Sequence, residues 1–302
     1  MNAPLRQPLR IQNAPDTITI RPTNAIIGAE IDGVDLTHPL PPESVALIRA
    51  ALLKHKVIFF RDQDITHDEH ARFGRYFGEL EGHPVTGHVQ GHPEVLVIRN
   101  GEYQHLNETT IAFIRPVNKW HADVTFREAP SFAGVLRARE LPPKGGDTLF
   151  ADMEAVYADI PFFVRARLDG LTATHDILKS YGWKLSDEEK AELVAQNPPQ
   201  SHPVVRVHPE TGARSLFVNF GFTTKIDGLE EKESDDLLAY LFERIKSPEY
   251  QVRFTWTPNA IAFWDNRATQ HYPVADYWPH DRQVERVTIT GDRPFGPQDK
   301  RA

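Results

Sequence analysis

No cysteine occurs anywhere in the 302 residues. That excludes disulfides, thiolate metal sites and cysteine nucleophiles, and leaves any metal chemistry to His, Asp and Glu. Long hydrophobic runs are also missing. The densest, "KVIFF" at 56–60, falls far short of the ~20 residues that cross a bilayer, so no membrane partner is expected. The first residues, "MNAPLRQPLRIQNAP", hold no apolar core of signal-peptide length. We therefore expect a cytoplasmic location and a flexible segment over residues 1–15. No long Lys/Arg run offsets the formal charge of -8 and the pI near 6.0, which argues against a nucleic-acid partner held by phosphate contacts. A small anionic ligand stays open, because a few local arginines outweigh net charge. The motifs H-E-x-x-H, G-x-S-x-G, G-x-G-x-x-G and the Walker loop are absent too.

What is present is an ordinary globular composition, 40% hydrophobic and 25% charged, with enough apolar residues for a sizeable core. Residues 17–35 alternate apolar and polar positions around Gly and Asp-Gly turns, as antiparallel strands do. "PPESVALIRAALLKHKVIFF" predicts a helix feeding a strand at 57–60, and "HDEHARFGRYFGEL" predicts a second helix. Strand patterns recur at "EVLVIR", "FAGVLRA", "DTLFAD", "PVVRVHP", "SLFVNF", "YQVRFTW", "AIAFW" and "RVTITG". Further helices are predicted at 153–169, 186–196 and 231–245, the last with Leu238, Leu241, Phe242 and Ile245 as a packing stripe. With no repeat and no linker, one mainly β domain with covering helices is expected over 1–302. The least periodic stretch, 100–118, is a candidate lid loop. Exposed barrel edges and helices lead us to expect a homo-oligomer.

In "NKWHADVTF", residues 118–126, His121 and Asp123 would share one face of a strand. Taken alone this pair is weak. The chain has 14 His, and H-x-[DE] recurs at His67/Glu69, His92/Glu94 and His208/Glu210. A core histidine bonded to a neighbour is the commoner outcome. His83, His88 and His92 sit in a Pro- and Gly-containing stretch, better understood as loop or pocket-rim residues than as a metal cluster. "PPKGGDT" is a turn before a strand.

The decisive segment is 261–292. His271 follows a strand and a "DNR" turn, and two imidazoles with one carboxylate form the facial set that leaves open positions on non-haem Fe(II). If 282–290 is a strand, Arg282 and Arg286 point the same way. Either each awaits an anion, bound by a two-pronged hydrogen-bond pair, or both lie on a solvated edge strand beside Asp281 and Glu285. The pattern alone leaves both open.

"WHADVTF", "LPPKGGDTLF", "HPVVRVHPETG", "LFVNFGFTT" and "IAFWDNRATQHYPVADYWPHDRQVERVTITGDRPF" resemble the taurine dioxygenase family of Fe(II)/2-oxoglutarate-dependent dioxygenases, from about residue 18 to 295. The resemblance implies a double-stranded β-helix (jelly-roll) barrel, with His121, Asp123 and His271 as Fe(II) ligands. It implies that Arg282 and Thr148 hold the far carboxylate of 2-oxoglutarate, and that Arg286 and His83 hold a substrate sulfonate. O2 and 2-oxoglutarate would be consumed to succinate and CO2 while a small anionic substrate is hydroxylated beside its anionic group. With an organosulfonate such as taurine or an alkanesulfonate, the product collapses to an aldehyde and sulfite. Other substrate positions depart from the taurine pattern: Thr86 replaces a tyrosine, Val117 falls near an asparagine, and Tyr181 replaces a phenylalanine. An alkyl sulfate ester or an aryloxyalkanoate is the alternative within the family. Outside it, a zinc hydrolase on the same three ligands would need a carboxylate base and would leave Arg282 and Thr148 unexplained. A binding protein without turnover is disfavoured by the intact triad.

Overall fold

The computed structural model describes residues 13–83, 87–99 and 119–299. Residues 1–12, Thr86, Val117 and the 100–118 stretch lie outside the described residues. Asn13, inside the segment expected to be flexible, is held in place. It is buried, its Oδ1 accepts the Asp35 N–H at 2.7 Å and its Nδ2 donates to the Asp35 carbonyl at 2.8 Å.

The larger sheet runs, in spatial order, Thr19–Pro22, Ala29–Asp32, Val57–Phe60, Ile261–Asp265, Ala133–Glu140, Gln283–Ile289, His92–Arg99 and His88–Val89. Leu80–Glu81 also pairs with Gln283–Ile289. All pairings are antiparallel except that of Ala29–Asp32 with Val57–Phe60. A smaller antiparallel sheet has the order Gln251–Phe254, Thr148–Asp152, Thr269–Pro273. Phe59 of the first sheet stacks on Phe254 of the second at 4.0 Å, and Trp264 meets Phe150 at 5.7 Å. The two sheets therefore pack face to face on an aromatic core, the arrangement a jelly roll requires. The expectation of a mainly β fold with covering helices holds.

The helix Pro42–His55 buries Ser44, Ile48, Ala51 and Leu52, one face at helical spacing, and covers the outer side of the larger sheet. The helix His67–Arg75 starts at a capping box, Thr66 with Glu69. The helix predicted over 153–169 is two, Met153–Ala158 and Phe162–Leu168. Pro161 divides them, because it offers no N–H and disfavours a helical residue before it. The helix Glu231–Ile245 buries the predicted stripe.

Two departures bear on the site. Residues 119–126 of "NKWHADVTF" are not a strand: His121 makes one isolated bridge, and the chain then turns, with Val124 at φ 47°. Nor is the strand carrying Arg286 an edge. Gln283–Ile289 lies between Ala133–Glu140 and His92–Arg99 and is buried on both faces from Val284 onward. Both arginines are only 6% exposed, which rules out the solvated-edge alternative.

Candidate active site

His121 and His271 are antiparallel bridge partners that exchange both backbone hydrogen bonds, His121 N–H to the His271 carbonyl at 3.1 Å and the reverse at 2.8 Å. Such a pair puts two side chains on one face, and the imidazole centroids are 4.2 Å apart. Asp123 joins them because the chain turns back, not by strand parity. Its Oδ1 is 3.8 Å from His121 Nε2, and one ligand atom from each of the three lies within 4.8 Å of the others. Among the described residues no other such group of His, Asp and Glu occurs, so His83, His88 and His92 form no metal cluster.

The turn is held by Asn266, which sequence reasoning missed. Its Oδ1 accepts the Asp123 N–H at 2.7 Å, and its Nδ2 donates to the Asp123 carbonyl at 3.0 Å and the Ser131 carbonyl at 3.1 Å. Next to it, Asp265 Oδ2 accepts from His208 Nε2 at 3.0 Å and from Arg267 at 2.7 Å. The only sequence signal was the "DNR" turn. Gly221 packs against His121 from outside; a Cβ there would meet the His121 Cβ at 2.8 Å.

The three groups suit a divalent cation. His121 Nδ1–H donates to the Lys119 carbonyl at 2.7 Å, which leaves Nε2 as a lone-pair donor. Burial pushes His271 down to about 3 and lowers His121, so both rings are neutral ligands near pH 7. Burial would raise Asp123, but Arg286, His271 and His121 hold its carboxyl well below the usual range. Asp123 Oδ2 is buried and has no hydrogen-bond partner among the described residues, and such an orphaned anionic oxygen calls for a cation. Nitrogen and oxygen donors in this set fit Fe(II).

Arg286 Nη1 donates to Asp123 Oδ1 at 2.5 Å, and its buried Nε has no partner among the described residues. Its charge also acts on His83, which burial has already pushed down to about 3, and on Tyr181, which burial raises to about 12. Both are therefore neutral near pH 7. Their rings are 5.8 Å apart; Tyr181 stacks on Phe222 at 6.4 Å, and Phe222 meets His121 edge-on at 6.3 Å. An aromatic wall thus runs from His83 to the triad. The His83 segment is tied to the Asp123 loop by Arg127, which pairs with Glu81 at 2.6 Å and donates to the Gly82 carbonyl at 3.0 Å.

Arg282 stands one residue before its strand. Burial lowers its guanidinium, and its Nε donates to the Gly146 carbonyl at 3.1 Å. Gly146 sits at φ 74°, and a Cβ there would meet Arg282 Cδ at 3.0 Å, so the second glycine of "KGGDT" admits the arginine. Thr148, two residues on and 2% exposed, accepts the indole N–H of Trp256 at 3.1 Å. The structure thus shows a triad with Arg286 bonded to Asp123, and Arg282 cradled by Gly146 beside Trp256, whose indole bonds Thr148.

The profile that matches residues 19–288 describes the "Taurine catabolism dioxygenase TauD, TfdA family". The chain is 39% identical to an alpha-ketoglutarate-dependent sulfate ester dioxygenase of Pseudomonas putida, covering 92% of this chain and 91% of that protein. It is 34% identical to an alkylsulfatase of Acinetobacter baylyi, covering 95% and 89%. A crystal structure of a taurine dioxygenase from Burkholderia xenovorans superposes with a TM-score of 0.80 at 42% identity, over 94% of this chain and 93% of that one.

Proposed function

The chain belongs to the taurine catabolism dioxygenase TauD, TfdA family, and from that premise we propose that its substrate is a sulfur oxyanion on an apolar chain, an alkyl sulfate ester first. The fold is that family's double-stranded β-helix, and the protein is an oxidoreductase dependent on Fe(II), 2-oxoglutarate and O2. A zinc hydrolase is set aside. Among the described residues no helix is long and apolar enough to cross a membrane.

The observation that carries the substrate reading is the setting of Arg286: a buried guanidinium bonded to Asp123, whose charge reaches neutral His83 and Tyr181, with Phe222 stacked on Tyr181. One fixed positive charge and a neutral donor suit a monoanion, while the rings suit an apolar body. The relatives named as a sulfate ester dioxygenase and an alkylsulfatase point the same way. A sulfonate is the second reading, favoured by the taurine dioxygenase structure.

In this proposal His121, Asp123 and His271 hold Fe(II). With 2-oxoglutarate and O2, the metal supplies the oxidising power that inserts one oxygen atom into a C–H bond. Arg282 and Thr148 hold the far carboxylate of 2-oxoglutarate, by a two-pronged ion pair and a hydroxyl bond. Arg286 and His83 hold the sulfur oxyanion, which sets the adjacent carbon towards the triad; positioning is the protein's main contribution. Once that carbon carries a hydroxyl, the hydroxyl gives up its proton as the C–O bond to sulfate breaks, leaving an aldehyde and hydrogen sulfate. A sulfonate loses its C–S bond in the same way and releases hydrogen sulfite.

A succinate-release screen over alkyl sulfates, alkanesulfonates including taurine, and aryloxyalkanoates tests this, with sulfate and sulfite measured separately. We expect succinate and sulfate in equal amounts from an alkyl sulfate. Succinate release confined to aryloxyalkanoates would overturn the reading.

A further inference from the structure

Thr148 Oγ1 accepts the Trp256 indole Nε1–H at 3.1 Å, in a buried contact between residues 108 apart in the chain. An indole N–H can only donate, whereas a threonine hydroxyl can donate once and accept twice. The indole occupies an acceptor position on Thr148, and among the described residues the Thr148 hydroxyl makes no other hydrogen bond. Its own proton is left for a ligand.

Trp256 is fixed for this task. Its ring packs edge-on against Phe254 at 4.8 Å and 80°; Phe254 stacks on Phe59 at 4.0 Å, and Arg61 lies over Phe254 at 4.3 Å. The same indole lies 5.9 Å from Arg282 Cζ, as does the ring of Tyr277. Trp256 thus touches both groups assigned to the far carboxylate of 2-oxoglutarate.

We propose that Trp256 is a positioning residue of the cosubstrate site: its indole N–H commits the Thr148 hydroxyl to donating towards the 2-oxoglutarate carboxylate while its ring flanks Arg282. A threonine free to rotate would spend part of its time with lone pairs facing that carboxylate, which is repulsive. The tryptophan removes those orientations before the ligand arrives. This rests on the reading that Thr148 and Arg282 take the carboxylate.

A double-mutant cycle in 2-oxoglutarate binding separates the two. The readout is calorimetric titration of 2-oxoglutarate into Mn(II)-loaded protein without substrate, so turnover plays no part. Trp256→Phe keeps an aromatic ring and removes the donor; we expect a Kd about five-fold higher, the size of one net hydrogen bond. Thr148→Val should weaken binding at least as much, and the double variant should bind no more weakly than Thr148→Val alone. If Trp256→Phe is unstable, benzothienylalanine at 256 removes the N–H while keeping the ring shape. Equal weakening by the Trp256 change in both backgrounds, or none in either, overturns the positioning role and leaves the site assignment standing. If Thr148→Val alone leaves 2-oxoglutarate affinity unchanged, the site assignment falls, and this inference with it.

Discussion

Replacing Asn266 with alanine should weaken metal binding without touching a metal ligand. The amide accepts the Asp123 N–H and donates to the Asp123 and Ser131 carbonyls, all in the interior. Alanine strands at least one buried N–H, which costs about 1–3 kcal/mol, and loosens two carbonyls that can relax in part. A total of about 2–4 kcal/mol follows, or a Tm lower by roughly 3–6 °C for a chain of this size. The Asp123 turn carries a residue at positive φ immediately after the ligand, so released backbone has a lower-energy conformation to fall into. Loss of such outer contacts typically costs 10–100-fold in metal affinity. Mn(II) affinity by calorimetry and Tm by scanning fluorimetry measure the two effects separately. A lower Tm with unchanged Mn(II) affinity would refute the claim that Asn266 sets the position of the Asp123 carboxylate.

Arg282→Ala should raise the 2-oxoglutarate requirement sharply and Arg286→Ala should mainly weaken the primary substrate; steady-state KM values for both ligands check this, and equal effects on both would contradict the division. Gly134→Ala places a Cβ 2.4 Å from Trp264 Cζ2 in the core and should destabilise by about 1–3 kcal/mol, seen as a shifted denaturant midpoint with unchanged slope. His70 is fully buried, its Nε2–H donates to the Val135 carbonyl, and burial pushes it down to about 3. Below pH 6.5 the unfolded chain therefore binds a proton that the folded one refuses, so stability falls as pH drops from about 6.5 towards 3. His70→Gln should flatten the dependence of Tm on pH across that window, and an unchanged slope would count against the assignment.

Much of the fold was legible because its signals are local. The periodicity of 42–55 and 231–245 gave the helices observed there, and the short strands mostly stand where alternation placed them. The misreading at 118–126 has a clear cause. Ala122, Val124 and Phe126 are all buried at alternate positions, yet in a turn packed into the interior, so a period of two arose without a strand. The helix break inside 153–169 was available in the sequence, since Pro161 stands at its middle. Asn266 was not. Its partner Asp123 is 143 residues away, and no local pattern marks an amide that grips distant backbone. Trp256 was hidden for the same reason, because its hydrogen bond is with a strand residue 108 positions away. The metal-ligand candidates could be found from their residue types; the groups that orient them needed coordinates.

Arg282 and Arg286 are separated by four residues of extended chain, roughly 13 Å, and the strand that follows Arg282 is clamped on both sides by neighbours. That strand acts as a ruler. If both arginines hold ligands as proposed, the span between them is set by backbone and cannot stretch to suit a longer one. A lineage of such enzymes that adapts to new substrates would have to keep the ruler and change the opposite wall. In this chain that wall includes Tyr181, on the short helix Leu178–Tyr181, which pairs with no strand of the sheet.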